Sequence, residues 1–187
     1  MLGDSISAAY GVPAGSGWVD LLRDELEREQ NCCTVVNASI SGETTEGGKY
    51  RLPGLLRDHA PQAVIIELGG NDGLRGFPLE VTRANLLAMV EAARDAGASV
   101  LLLGMRIPPN YGPRYTEAFH RLYAEIAGAA DTAIVPFMLE GIATRPELMQ
   151  TDGIHPTADA QPLILANVLP AVLELLRARD TNGPPDE

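Results

Sequence analysis

Two short segments at opposite ends of the chain contain residue types suited to acyl transfer. Residues 3–7 read G-D-S-I-S, and residues 152–156 read D-G-I-H-P. A serine hydroxyl becomes a good nucleophile only when a base removes its proton, and a third group must hold that base in place. One short turn can seat the imidazole of His155 against the carboxylate of Asp152. We therefore predict Ser5 as the nucleophile, His155 as the general base and Asp152 as the group that orients the base.

Ordinary structural roles are the alternative interpretation of these residues. Gly-Asp-Ser is also a common turn or helix N-cap. The chain has no G-x-S-x-G pattern, which disfavours the nucleophile elbow of an α/β-hydrolase. The other histidines, His59 and His120, fall on predicted helix surfaces, where solvated side chains are the default. His155 lies instead in a loop marked by Gly and Pro, and Pro156 biases it away from helical geometry.

An acyl-transfer site also needs hydrogen-bond donors directed at the developing oxyanion. Asn71 follows a predicted buried strand within the run 69–72 (G-G-N-D), and its side-chain amide could donate. Gly42 could donate its backbone N–H without obstruction by a side chain. Taken singly, both residue types are also typical of turns. Their predicted place in the fold is therefore the observation that favours a site.

The elements that must position these residues alternate between strands and helices. Predicted strands cover residues 33–37, 63–68, 99–103 and 132–135. Predicted helices are an amphipathic one from Trp18 to Leu26, one over 50–59 that is broken or kinked at Pro53, one ending at Gly97, one over 116–128, and a closing one over 165–176 with a kink at Pro170. This alternation predicts an α/β fold with a parallel sheet covered on both faces.

The candidate residues all follow strands of this predicted sheet. Ligands of parallel sheets bind beyond the carboxyl ends of the strands. Ser5, the Gly42 region, residues 69–72 and residues 105–109 each come just after a strand, either predicted or implied. We therefore expect these segments to meet at one rim.

Length and composition limit the function classes. A chain of 187 residues is long enough for one domain, predicted over 1–177 and followed by a polar, disordered tail over 178–187. The net charge of −11 argues against nucleic acid or an anionic membrane surface as a partner. No stretch is long and apolar enough to be predicted as a membrane span. The only cysteines, Cys32 and Cys33, are adjacent and suggest neither a disulfide framework nor a metal site.

These motifs, and their order along the chain, resemble those of the GDSL-type (SGNH) hydrolases. Residues 3–7 match the nucleophile block, Gly42 the block glycine, residues 69–72 the G-x-N-D block and residues 152–155 the D-x-x-H block. Within that family the chain is similar to the bacterial thioesterase I/protease I/lysophospholipase group, which includes arylesterases. The runs 70–76, 109–112 and 152–162 resemble that group specifically, and the resemblance covers roughly residues 2–176.

The resemblance implies a function and a set of roles. The fold is a three-layer α/β/α, flavodoxin-like parallel sheet. The enzyme is a monomeric serine esterase and thioesterase that needs no cofactor and no metal, and its substrates are aryl esters, acyl-CoA and lysophospholipids. The implied oxyanion hole consists of the Ser5 N–H, the Gly42 N–H and the Asn71 side chain. Residues 73–78 correspond to a mobile loop over the acyl site. Arg106 is implied as a further residue that lines the pocket. The implied substrate-binding residues are Gly70, Asp72, Leu74, Arg75, Phe77, Ile107 and Pro108.

One departure from the family pattern concerns the first strand. Only Met1 and Leu2 precede the nucleophile block, whereas a central strand is expected there, flanked by the second and third. We hypothesise that Met1 is an internal methionine of that strand and that upstream sequence, including a signal peptide, preceded it. The protein would then be periplasmic or secreted, and otherwise cytoplasmic. Three functional alternatives stay open at this point: a carbohydrate O-acetyl esterase, a non-catalytic flavodoxin-like binding domain and a catalytically dead fragment.

Overall fold

A parallel sheet of four strands lies at the centre of the structure, a computed structural model that describes residues 1–30 and 33–180. The strands are β1 (Leu2–Gly3), β2 (Ala63–Glu67), β3 (Ser99–Leu103) and β4 (Ala133–Val135), and they are neighbours in that order. Each of β2 and β3 has four buried residues in succession, as expected of strands covered by helices on both faces. The predicted α/β fold with a parallel sheet is confirmed.

Helices cover the sheet in two layers. Within the described ranges the α-helices are α1 (Trp18–Gln30), α2 (Thr45–His59), α3 (Gly70–Leu74), α4 (Leu79–Asp95), α5 (Pro113–Ala130) and α6 (Gln161–Asp180). Helices α1 and α6 pack together, and α6 lies against β3 and β4. Helices α2, α4 and α5 pack in a row and contact β1, β3 and β4. The three-layer architecture therefore agrees with the sequence-based prediction.

The strand expected over residues 33–37 is not formed. Its residues have no regular strand structure, and Thr34, Val36 and Asn37 are exposed. The segment that follows runs beside β1, where the N–H of Ala38 donates to the carbonyl of Met1 at 2.9 Å and the N–H of Ile40 donates to Gly3 at 3.0 Å. With only two residues, β1 offers too short an edge for a regular ladder. In the sheet β1 is therefore an edge strand that pairs with β2, and not the central strand that was expected between a second and a third strand. Cys32 lies outside the described residues.

Two helices are longer than the apolar pattern predicts. Helix α2 begins at Thr45 because the side chain of Thr44 caps it, and it continues through Pro53 without a break. Helix α6 runs to Asp180 and contains Pro170. The first residues of the predicted disordered tail are therefore helical, and residues 181–187 lie outside the described part.

Helix α6 also corrects the prediction that no stretch could span a membrane. By length and composition alone, residues 158–178 are long and apolar enough to do so, and an 18-residue window within them has a mean hydropathy of 1.3. One side of this segment is part of the core, where Ala160, Ile164, Val168 and Val172 are buried. The core helix of a soluble protein meets the same criterion, so the length and apolarity of α6 are weak evidence for a span.

Candidate active site

The carboxyl ends of the four strands border one cavity of about 410 Å³. Ser5 follows β1, Gly70 and Asn71 follow β2, residues 105–109 follow β3, and residues 137–139 follow β4. Residues 153–155, which belong to the C-terminal part of the chain, also line the cavity. The expected convergence of these segments on one rim is therefore observed, and Gly42 is the expected member that does not line the cavity.

The three predicted triad residues form a chain of hydrogen bonds. His155 Nε2 lies 2.8 Å from Ser5 Oγ, and His155 Nδ1 lies 2.6 Å from Asp152 Oδ2. With a neutral imidazole, Nδ1–H donates to the carboxylate and Nε2 accepts from the serine hydroxyl. Ser5 Oγ is thus placed to lose its proton to His155.

The carboxylate of Asp152 is fixed by its own loop. Its Oδ1 accepts hydrogen bonds from the backbone N–H of Ile154 at 2.9 Å and of His155 at 3.0 Å. Partial burial by itself raises the pKa of Asp152, but these two bonds and the bond from the imidazole outweigh it and lower the pKa to about 2. Asp152 is therefore ionised at neutral pH, as an orienting group must be.

The loop that carries Asp152 and His155 is a small closed unit. The N–H of Gln150 donates to the carbonyl of His155 at 2.7 Å, and the N–H of Thr157 donates to Leu148 at 2.8 Å. We call residues 149–157 the base loop. About two fifths of the Asp152 side chain is exposed to solvent, so this half of the site is held mainly by short-range backbone bonds.

The segment after β1, residues 3–11, is held by buried polar groups and is called the nucleophile turn. Asp4 is 2% exposed, and its Oδ1 accepts the N–H of Ile6 at 3.0 Å. Its own N–H donates to Oε2 of Glu67, the last residue of β2, at 3.1 Å, and Ser7 Oγ donates to the same oxygen at 2.7 Å. A Cβ at Gly3 would lie 2.6 Å from that oxygen, so only glycine fits there. No local pattern in the sequence indicates this role of Glu67.

Asn71, the predicted side-chain donor of the oxyanion hole, lines the cavity, and its oxyanion role stays a prediction. It lies at the start of α3, and its Nδ2 donates one hydrogen to Asp4 Oδ2 at 3.1 Å. An amide carries two hydrogens, so the second is left for the cavity side. Gly42 is exposed, with a left-handed φ of 81°, and its carbonyl accepts a hydrogen bond from Arg75 at 3.2 Å. The contributions of Gly42 and of the Ser5 N–H to an oxyanion hole remain predictions.

One glutamine connects the two halves of the site. Gln150 Nε2 donates to the carbonyl of Tyr10 at 2.8 Å and to the carbonyl of Pro156 at 3.0 Å. Tyr10 belongs to the nucleophile turn and Pro156 to the base loop. A single side-chain amide thus fixes the distance between the segments that carry Ser5 and His155. Gln150 is a functional residue that the sequence-based predictions miss.

Tyr10 also covers the imidazole of His155. Its ring centroid lies 4.7 Å from that of His155, with the planes tilted by 45°. The tyrosine is about half exposed, so its outer face borders solvent beside the imidazole. A ring in this position limits the orientations of His155 and presents an aromatic surface on the approach to the site.

The predicted substrate-binding residues divide into two groups. Gly70, Leu74, Ile107 and Pro108 line the cavity, as does Arg106, whose guanidinium lies 5.0 Å from the ring centre of Phe137. Asp72, Arg75 and Phe77 do not line the cavity, and their role as substrate contacts stays a prediction.

Asp72, Arg75 and Phe77 make other contacts in the structure. Asp72 is buried, and it accepts hydrogen bonds from the N–H and the hydroxyl of Thr45, so it anchors the start of α2. A carboxylate at a helix N-terminus is a stabilising structural group. Arg75 is exposed and donates to the carbonyl of Gly42. Phe77 is half-buried, and its carbonyl accepts a bond from Tyr115 Oη at 2.9 Å.

Two tyrosines tie the loop over 73–78 to the body of the protein, in addition to the bond from Arg75 to Gly42. Tyr111 Oη donates to the carbonyl of Leu74 at 2.8 Å, and Tyr115 supplies the bond to Phe77. The mobility of this loop stays a prediction.

His120 is not the solvated residue that its predicted helix surface implies. It is half-buried, and its Nε2 lies 3.2 Å from Arg106 Nη2. Burial and the charge of Arg106 lower the pKa of His120. The neutral imidazole therefore lies beside a residue of the cavity wall rather than among the catalytic groups.

Comparisons with known proteins agree with this geometry. The family model for the GDSL-like lipase/acylhydrolase family matches residues 1–162. Esterase TesA of Pseudomonas aeruginosa is 53% identical over 94% of this chain and 88% of its own length. Thioesterase 1/protease 1/lysophospholipase L1 of Escherichia coli strain K12 is 47% identical over 88% of this chain and 77% of its own length. A crystal structure of TesA superposes with a TM-score of 0.91 at 53% identity, covering 93% of this chain and 97% of that one.

Proposed function

The chain belongs to the GDSL-like lipase/acylhydrolase family and is a hydrolase acting on ester bonds, and on that premise we propose how its residues perform the reaction. Ser5 is the nucleophile, His155 the general base and acid, and Asp152 the group that orients the imidazole. The observation that carries this assignment is the unbroken hydrogen-bond chain from Ser5 Oγ to Asp152 at the wall of the cavity.

Acylation begins when Ser5 Oγ attacks the carbonyl carbon of the substrate. His155 Nε2 takes the serine proton as the new C–O bond forms, and the imidazolium is stabilised by the ionised Asp152. The carbonyl oxygen gains negative charge, which the second hydrogen of Asn71 and the backbone N–H groups of Ser5 and Gly42 stabilise. His155 then returns the proton to the leaving alcohol or thiol, and an acyl-Ser5 ester remains.

Deacylation repeats the sequence with water. His155 takes a proton from a water molecule that attacks the acyl carbon, and the carboxylic acid leaves as Ser5 regains its proton. No redox change occurs, and each proton taken from a nucleophile is returned to a leaving group. The residues of the chain supply every group that these two half-reactions need.

The cavity wall favours an apolar acyl group. Many of its lining side chains are apolar, among them Met105, Ile107, Phe137, Met138, Leu139 and Met149. A cavity of about 410 Å³ falls in the usual range for small-ligand sites. Fatty acyl thioesters, lysophospholipids and aryl esters of medium-chain acids would each place an apolar acyl chain there. A carbohydrate O-acetyl esterase would need only a methyl group in that space.

A fluorophosphonate probe tests the assignment of the triad. Such probes label an activated serine, so we expect one adduct, on Ser5, located by peptide mass spectrometry. His155→Ala should abolish labelling because it removes the base. Ser41→Ala is the matched control: Ser41 is exposed to solvent, and its loss should leave labelling unchanged. An adduct on another serine, or labelling that survives in His155→Ala, would refute the triad.

A series of p-nitrophenyl esters separates the substrate classes. Because the cavity wall is largely apolar, we expect kcat/KM to rise from acetate to medium-chain acyl groups. A preference for acetate over longer chains would favour the O-acetyl esterase instead.

A further inference from the structure

Two carboxyl groups are buried directly behind the nucleophile without a cation. Glu67 is 0% exposed and Asp4 is 2% exposed. In the described part of the chain, no lysine or arginine forms an ion pair with either group. The backbone N–H of Asp4 and the hydroxyl of Ser7 are the donors to Glu67, and both bind the same oxygen, Oε2. The mechanism proposed above leaves Glu67 without a role.

The pair cannot carry two negative charges at this depth. Moving one carboxylate out of water costs several kcal/mol even after relaxation, and two adjacent carboxylates repel each other. Burial raises the pKa of Glu67 well above its usual range, and the charge of Asp4 raises it further. Burial also raises the pKa of Asp4. One proton shared by the two groups removes the conflict.

The hydrogen bonds indicate which residue holds that proton. Asp4 accepts bonds at both oxygens, from the N–H of Ile6 and from the amide of Asn71, and its charge lies within electrostatic reach of His155. Glu67 accepts at Oε2 only, and no N–H or O–H group of the described residues donates to its Oε1. An ionised Glu67 would therefore leave charge on an oxygen that nothing stabilises.

We propose that Glu67 is a positioning residue that works as a neutral carboxylic acid, and that its proton leaves Asp4 as the single buried anion of the nucleophile turn. Oε2 of the acid accepts the Asp4 N–H and the Ser7 hydroxyl, and the acid proton is shared with the carboxylate of Asp4, whose side chain lies within hydrogen-bonding reach of Glu67. The anionic Asp4 holds Asn71 so that its second amide hydrogen is free for the oxyanion. When His155 becomes positively charged during the reaction, the carboxylate of Asp152 stabilises it by direct contact, and the carboxylate of Asp4 stabilises it at longer range.

The surroundings of Glu67 are consistent with a neutral acid. The nucleophile turn presents Asp4 and Ser7 to it. From α5, Tyr123 lies within electrostatic reach, and its hydroxyl donates to the carbonyl of Leu68 at 2.9 Å. Burial and the nearby carboxyl groups raise the pKa of Tyr123 well above its usual range, so the phenol is neutral as well. None of these groups supplies the positive charge that an ionised Glu67 would need.

Carbon-13 NMR of wild-type protein labelled at the glutamate side-chain carboxyls tests the protonation state directly. We expect one glutamate signal to keep the chemical shift of the protonated acid at pH 7 and to be missing from Glu67→Gln. If every glutamate carboxyl has the shift of an ionised group at that pH, the proposal is wrong. This readout needs no activity, so it stands apart from the proposed function on which the positioning role rests.

Two variants test the positioning role. Glutamine imitates the neutral acid in shape and keeps an acceptor at the Oε2 position, so Glu67→Gln should retain at least about a third of kcat per active site titrated with fluorophosphonate. Glu67→Leu removes the acceptor, and we expect kcat per titrated site to fall by about tenfold or more, since misplaced catalytic groups cost up to roughly a hundredfold. Equal kcat per titrated site in both variants would mean that Glu67 only stabilises the fold, and a Gln variant as impaired as Leu would mean that the charged form is needed.

Stability as a function of pH gives an independent check. Because the pKa of Glu67 is raised in the folded protein, the folded state holds a proton that the unfolded chain has lost at neutral pH. The stabilisation is present below the ordinary glutamate pKa and is lost as the pH rises through the folded pKa, so the folded-to-unfolded ratio falls by up to tenfold per pH unit in that window. Relative to Glu67→Gln, the wild-type protein should lose stability between about pH 5 and pH 7 in urea unfolding. Parallel curves for the two proteins would overturn the proposal.

Discussion

The two halves of the site are held in different ways. The nucleophile turn rests on buried polar groups contributed by β2, with Asp4 and Glu67 almost without solvent contact. The base loop is held by backbone bonds within itself, and its Asp152 side chain is 40% exposed. The amide of Gln150 joins them, together with the contacts of His155 with Ser5 and Tyr10. The position of the serine is therefore set by the core, whereas the position of the histidine depends on one loop and a few side-chain contacts with the nucleophile turn.

The largest expected effect does not depend on how each half is held, because Ser5 and His155 act in the same chemical step. Ser5→Ala and His155→Ala should each lower kcat by about 10⁴-fold or more, and the double variant should be no worse than either single one. Measured rates per folded protein test this. Losses that multiply in the double variant would show that the two residues act separately.

Gln150→Ala tests the joint between the halves. It leaves the carbonyls of Tyr10 and Pro156 without their shared donor, so we expect the distance between Ser5 and His155 to become variable and kcat to fall by about 10- to 100-fold. The matched control is Glu147→Ala, close to the base loop, where an exposed pair with Arg145 is worth little. Equal kcat values for the two variants would mean that the base loop holds its position without Gln150.

Two substitutions of Tyr10 test the aromatic contact at the surface of the base loop. Tyr10→Ala removes the ring beside His155, whereas Tyr10→Phe keeps it. Aromatic contacts of this kind are worth about 0.5–1.5 kcal/mol, so we expect a roughly 2- to 10-fold loss of kcat/KM for Ala and almost none for Phe. An equal loss in both variants would assign the effect to the hydroxyl.

The smallest expected effect is on the acid stability of the base loop. The pKa of Asp152 is lowered to about 2, so its hydrogen bonds stabilise the folded state above the ordinary aspartate pKa, and this contribution is lost as the pH falls towards 2. The stability difference between wild type and Asp152→Asn should therefore shrink between about pH 4 and pH 2. A difference that is constant over this range would show that the carboxylate contributes nothing through its charge.

Much of the fold can be predicted because the strands are short apolar runs separated by helical periodicity. Strands β2 and β3 are predictable almost to the residue, since buried strands of a parallel sheet have no alternation to obscure them. Residues 33–37 are also rich in apolar residues, but their neighbour in space is only two residues long, and local sequence cannot report that. The extension of α2 to Thr45 depends on a cap at Thr44 that the polar first turn hides.

The predictability of the candidate site depends on how local each role is. Ser5, Asp152 and His155 are predictable because their spacing and loop context are local properties. The sequence identifies Glu67 only as part of a strand, and it gives no signal for Gln150. Their partners Asp4 and Tyr10 lie 63 and 140 residues away along the chain. The prediction of Asp72 as a substrate contact rests on its position after Asn71, whereas its side chain turns towards Thr45. A role that depends on tertiary contacts has no signature in one sequence.

The separation of Ser5 from His155 has a consequence for synthesis on the ribosome. The hydrogen bond between them spans 150 residues, and the cavity is closed by the base loop. At about 5–20 residues per second, translation needs roughly 8–30 s to pass from the codon of one partner to that of the other. Over those 150 residues of elongation the nascent chain carries Ser5 without its partner His155, so the hydrogen bond between them can form only after His155 has been synthesised.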